Sequence, residues 1–188
     1  MTRSKFRGIG TILASLSIGT SVQAAVLTFE DLAHEEELQG VGDVLFSNGF
    51  VLQYAPAPGE PYPVGFFSVG SIWQFNARST ALAANSCSST TTLTSEDNNP
   101  ITLVSIDLAE LNGDKNVSVS FEGVTSEGTV VRKNVKLKDR RTWQTVKFPD
   151  SFRNLQFVRW IQGDCINNPP HMFDNIRVYP TWKGPAPD

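Results

Sequence analysis

The chain has little of what side-chain catalysis ordinarily uses. His34 and His171 are its only histidines and Cys87 and Cys165 its only cysteines in 188 residues. It holds no G-x-S-x-G elbow for a nucleophilic serine and no H-E-x-x-H helix for a zinc-held water. Neither cysteine belongs to a C-x-x-C pair, which excludes the usual zinc and thiol-redox arrangements. Glycoside hydrolysis needs two carboxylates at a set separation. With 19 acidic residues some such pair is always present on paper, so counting them assigns nothing. No catalytic residue is named, and a non-enzymatic role is expected ahead of a hydrolase.

Long apolar runs are equally scarce. Beyond the first two dozen residues none approaches the ~20 needed to cross a bilayer, so the mature chain is expected to have no membrane span. Clustered positive charge is missing too, and the net charge is −3. The one basic stretch, Arg132-Lys133 through Lys136 and Lys138 to Arg140-Arg141, alternates along a predicted hairpin and reads as a solvated strand face. Nucleic acid and anionic membrane are therefore poor partners. No internal repeat occurs.

What is present begins with an export signal. Arg3, Lys5 and Arg7 precede an uncharged apolar stretch from Ile9 to Val22, and Val22-Gln23-Ala24 places small residues where signal peptidase reads them. Residues 1–24 are expected to be a cleaved signal peptide, 25–180 one β-sandwich domain and 181–188 a polar tail. The protein is then secreted or periplasmic. An even cysteine pair in an oxidising compartment predicts a structural Cys87–Cys165 disulfide. Asn116-Val-Ser118 matches a glycosylation sequon and reads as a chance match within a strand.

Strand signals dominate the rest. Val26–Leu32, Gly49–Tyr54 and Ser71–Phe75 are β-prone, and Ile101–Ala109 is nearly continuously apolar. Val117, Val119 and Phe121 alternate with Ser118, Ser120 and Glu122. Gly128–Leu137, Trp143–Phe148, Leu155–Trp160 and Phe173–Tyr179 follow at intervals of ~8–12 residues, with Gly, Asn, Asp or Pro at the breaks. That spacing predicts an all-β, single antiparallel sandwich of jelly-roll type. Asp31–Gln39 reads as a short helix, and the Ser/Thr/Asn-rich 84–100 as a long loop or edge segment.

An exported β domain that opens with T-F-E-D-L (Thr28–Leu32) and closes with F-D-N-I-R-V (Phe173–Val178) resembles bacterial extracellular jelly-roll domains of the galactose-binding-like type. These include carbohydrate-binding modules and the ectodomains of PEP-CTERM-sorted proteins, whose sorting tail this sequence does not show. The resemblance implies adjacent first and last strands and a structural calcium on Glu30 and Asp174, with Asp31 and Asn175 as secondary ligands. Calcium takes oxygen donors, chiefly carboxylates and carbonyls. The alternative is that Glu30 and Asp31 cap a turn and that Asp174 binds backbone at a bend. Trp73 and Tyr62, near loops with Gln74, and Trp182, in the tail, are the candidate ligand-stacking aromatics, since sugar C–H faces pack on exposed rings. Trp143 and Trp160 lie in strand patterns and are expected in the core. The expected role is an exported binding domain for a glycan or other extracellular polymer, and the alternative a structural surface protein contacting other proteins.

Overall fold

A computed structural model of the chain describes residues 24–59, 65–73, 79–112, 117–137 and 142–181. Residues 1–23 of the expected signal peptide, Tyr62, Gln74, Asn116 and Trp182 lie outside these residues. The described chain forms thirteen strands. They are β1 (Ala25–Leu27), β2 (Leu38–Gly42), β3 (Val44–Ser47), β4 (Phe50–Ala55), β5 (Phe66–Val69), β6 (Ala81–Ala84), β7 (Thr90–Ser95), β8 (Ile101–Glu110), β9 (Ser118–Thr125), β10 (Val130–Lys136), β11 (Gln144–Lys147), β12 (Leu155–Ile161) and β13 (His171–Pro180). Two single 3-10 turns, Glu30–Leu32 and Asp150–Phe152, complete the described secondary structure.

Every described pairing is antiparallel. Two layers result, as the all-β sandwich expectation requires. Sheet 1 runs β2-β5-β6-β13-β8-β11, with β1 beside the far end of β13; sheet 2 runs β10-β9-β12-β7-β4-β3. One backbone pair, Leu155 opposite Ile101, joins them. The first and last strands do lie together, Ala25 opposite Val178 and Leu27 opposite Ile176.

Period-two alternation sends one set of side chains into the space between the sheets. From sheet 2 come Phe50, Leu52, Leu93, Val119, Phe121, Val158 and Trp160, all essentially buried. Sheet 1 answers with Phe66, Leu82, Leu103, Ile106, Leu108 and Phe173. Phe173 is the hub: Phe29, Phe66 and Trp160 meet it edge-on, with ring centroids 6.0, 6.3 and 5.1 Å away. Edge-to-face contact sets the positive rim of one ring against the negative face of another. Trp160 thus sits in the core as its strand pattern predicts.

The disulfide joins Cys87 to Cys165 with Cα atoms 5.6 Å apart and 78 positions between them in sequence. Closing a loop of that length stabilises by on the order of 4 kcal/mol in the chain-entropy account.

Four local expectations are corrected. Residues 31–39 form no helix beyond the turn Glu30–Leu32; Leu38 already belongs to β2, whose bonds go to β5. The strand expected at Ser71–Phe75 lies earlier, at Phe66–Val69, and Ser71-Ile72 is a turn. The polar stretch 84–100 contains β7, which sits inside sheet 2 between β12 and β4. Its Thr91, Leu93 and Ser95 face inwards, and the β-branched threonines suit a pleated surface. Trp143 precedes β11 and lies outside the main core. The β3–β4 hairpin, also unforeseen, turns on Asn48-Gly49, with φ of 51° and 82° as a two-residue primed turn requires.

Candidate ligand-binding face

The outward side chains of sheet 1 form successive rows. At one end Ala109, Met172, Ala83 and Ala81 make an apolar floor, covered by Leu38, Trp73 and Trp143. Covering is why β6, an alanine strand with weak intrinsic β preference, is buried on both faces. The Trp73 indole N–H donates to the Leu111 carbonyl at 2.8 Å. The Trp143 indole N–H is buried without a partner.

The next row is acidic. Register places Thr145 opposite Asp107 and Asp107 opposite Asp174. A register shift follows Asp174, with Asn175 at φ 48°, so Asp174 and Asn175 both address this region. The Asn175 amide nitrogen donates to Asp107 Oδ2 and to Asp174 Oδ2, each at 3.1 Å, and its backbone N–H donates to Asp174 Oδ1 at 2.7 Å. Thr145 Oγ1 donates to Asp107 Oδ1 at 2.6 Å. Ser79 Oγ donates to Asp174 Oδ2 at 2.5 Å, while Thr80 donates to Glu30 through its N–H and its hydroxyl, both at 3.1 Å. Adjacent residues Ser79 and Thr80 therefore hold the two carboxylates that the terminal motifs pair. Burial pushes the Asp174 carboxyl above its ordinary range; the bonds from Ser79 and Asn175 oppose that, and the charges of Glu30 and Asp107 add to it.

A third row carries positive charge. Lys147 lies opposite Ser105, and Ser105 opposite Arg177. A groove of about 630 Å³ crosses here, lined by Val26, Asp107, Thr145, Lys147, Asn175 and Arg177 among others. A second groove of about 680 Å³ continues it at the far end, lined by Thr102, Pro149, Arg153, Tyr179 and Thr181. Val104 and Phe148 line both, so the two meet.

Of the sequence-predicted residues, Glu30, Asp174 and Asn175 are thus brought to one region, and Asp107 joins them. Asp31 is exposed and makes no described hydrogen bond. The turn that Glu30 opens has no side-chain cap, so capping does not account for that residue. Glu30 and Asp174 offer the oxygen donors a hard cation takes. Among the described residues, however, no three His, Cys, Asp or Glu side chains gather as a metal-holding group. Trp73 covers the apolar end of the face, whereas Tyr62 and Trp182 lie outside the described residues. Tyr179, Arg177, Lys147 and Asp107 were not foreseen as a group. Outward alternation along the closing strand signalled Arg177 and Tyr179, but nothing in the sequence set Lys147 and Asp107 beside them.

His171 opens β13 and is 1 % exposed. Neither ring nitrogen has a partner, and burial pulls its pKa down to about 3. It faces no cleft. Gln162 bridges its backbone, accepting from the His171 N–H at 3.1 Å and donating to the His171 carbonyl at 3.1 Å.

No family model and no curated protein matches the chain. Among solved structures it is similar to a family 29 carbohydrate-binding module, at 11% identity over 84% of this chain and 86% of that one, with a TM-score of 0.45. It is also similar to the family 32 module of NanJ from C. perfringens, solved with galactose, at 9% identity over 69% and 93% with a TM-score of 0.38. A third is the C-terminal domain of a chitobiase from Bacteroides fragilis, at 12% identity over 73% and 95% with a TM-score of 0.34. Likeness at this level bears on neither ligand nor activity.

Proposed function

We propose that the protein is an exported, non-catalytic binding domain that takes a glycan along the outer face of sheet 1. The observation that carries this reading is the pair of meeting grooves on that face. Their linings bring Tyr179 and Phe148 together with Asp107, Asn175, Thr145 and Arg177, apolar residues next to hydrogen-bonding groups. Sugars need both kinds of contact. Export accords with the amino-terminal signal pattern and with the Cys87–Cys165 bridge, which persists in oxidising compartments.

Glu30 and Asp174 are the proposed calcium ligands. A divalent cation there would relieve the repulsion among Glu30, Asp107 and Asp174 and brace the acidic row against which a ligand lies. Thermal melts of the purified mature protein in calcium and in chelator test the metal. A higher melting temperature in calcium is expected, and superimposable melts would remove the site.

Titration calorimetry against a panel of soluble polysaccharides tests the ligand. Binding by the wild type is expected to weaken at least tenfold in Tyr179→Ala with the melting temperature held. Silence across the panel would overturn the glycan reading and favour the second one, a structural surface protein. One observation supports that alternative: β3 is an edge strand, and its Phe46 is 69 % exposed. Bare edges and exposed rings are the raw material of protein–protein contacts.

A further inference from the structure

We infer that the glycan taken by this face is an acidic polysaccharide, its anionic groups received by Arg177 and Lys147. The inference rests on the glycan reading above and names the chemical class of ligand.

Four arginines lie among the described residues. Arg132 and Arg159 are paired with Glu122 at 2.7 and 2.5 Å, and Arg153 with Asp150 at 2.7 Å. Arg177, exposed on β13, makes no described ion pair, nor does Lys147 on β11. Both line the same groove and share one row, with Ser105 between them. Two strand spacings of ~4.8 Å set their backbones roughly 10 Å apart, so the pair spans the groove floor as two separate anion-receiving points. Asp107 is the one carboxylate in that groove, and each of its oxygens already takes a hydrogen bond, from Thr145 and from Asn175. Its charge remains, but no described ion pair joins it to either cation, and the groove lining holds two cations to that one carboxylate.

An unpaired guanidinium beside a groove is a fork for a planar or tetrahedral anion, and lysine adds a point charge. A neutral glycan would leave both cations unanswered. A chain bearing one acidic group every few sugars meets them while its hydroxyls reach Asn175, Thr145 and Ser105. Long-range attraction is not the source of the preference, because the protein's net charge is negative. The pair acts locally.

Calorimetry in chelator, at low and at raised salt, decides the matter. The probes are polygalacturonate for carboxylate, heparin for sulfate and galactomannan for a neutral chain. Binding to one or both acidic chains is expected to exceed that to the neutral chain by about tenfold, as one or two charged hydrogen bonds provide. It should also fall as salt rises. The stronger acidic arm identifies the anion. In Arg177→Gln/Lys147→Gln the acidic preference should vanish with the melting temperature unchanged, since both side chains are exposed. Equal or stronger binding of galactomannan would overturn the acidic assignment and leave the glycan reading standing. No binding by any of the three would remove both.

Discussion

The two sheets treat their charges in opposite ways. On the outer face of sheet 2, Glu122 of β9 stands between Arg132 of β10 and Arg159 of β12, bonded to both. Those arginines hold its carboxyl below the ordinary range, so this row of charge is complete in itself. Sheet 1 groups like with like instead. Its carboxylates lie together with hydroxyls and amides as donors, burial moves Asp174 towards its neutral form, and the cations Arg177 and Lys147 stand one row away without partners. A row so paired has nothing to gain from a ligand. An unbalanced face does, which is the physical reason for assigning recognition to sheet 1.

The largest effect expected lies behind that face. His171 is neutral and buried in sheet 1, with its pKa at about 3 against an ordinary 6.5. The unfolded chain takes up a proton as pH falls through 6.5, whereas the folded chain resists until about 3, so stability declines as pH falls through that interval. At ~1.4 kcal/mol per unit the loss is on the order of 5 kcal/mol. Urea unfolding at a series of pH values should give a steep acid limb for the wild type and a flatter one for His171→Leu. Parallel limbs would show that His171 is not the group concerned.

A second contrast sets one aromatic on each face. Trp73 packs on the Met172 floor and donates to Leu111, whereas Phe157, half-buried on sheet 2, meets only the Arg159 guanidinium at 6.0 Å among its ring contacts. Trp73→Ala should cost about 2 kcal/mol and Phe157→Ala less than about 1. Equal shifts in urea midpoint would erase the difference between the faces.

The smallest effects have opposite signs. The Asp174 pKa is raised, so its contribution is present below the ordinary carboxylate value of 3.8 and lost as pH rises through the folded value. In chelator at pH 7, Asp174→Asn should therefore melt higher than the wild type, and it should lose any calcium response. The Glu122 pKa is lowered, so its contribution is present above 4.5 and lost as pH falls. Glu122→Gln should melt slightly lower at pH 7, by an amount that shrinks with salt, as exposed ion pairs do. Shifts of the same sign would contradict the two titration directions.

The layout of the fold was legible because its strongest strands are its most periodic. Val119 and Phe121, Leu155 to Trp160 and the closing strand alternate as half-buried strands must, and those elements form where the pattern puts them. The pairing of Cys87 with Cys165 was legible by count. What escaped notice had weak local signals. The alanines of β6 are held by the covering of Trp73 and Trp143, and β7 hides its alternation among threonines and serines. For the site, the terminal motifs pointed to Glu30 and Asp174, which do converge, on Thr80 and Ser79. The cationic row was illegible because Lys147 and Arg177 become neighbours only through Ser105, a residue between them in space and far from both in sequence.

The pairing of the first strand with the last also sets how the domain bears force. Ala25 lies opposite Val178, so tension applied through the chain at these two points pulls on the same end of an antiparallel ladder. Bonds so loaded break pair by pair instead of sharing the strain, as in the opening of a zipper. β1 is three residues long, and it leads directly to Glu30 and carries Val26 of the groove. A tether pulling on both ends would peel away that edge of the binding face first, while the Phe173 core behind it stayed shut. If a polymer is held on that face, its hold would weaken under load before the domain itself gave way.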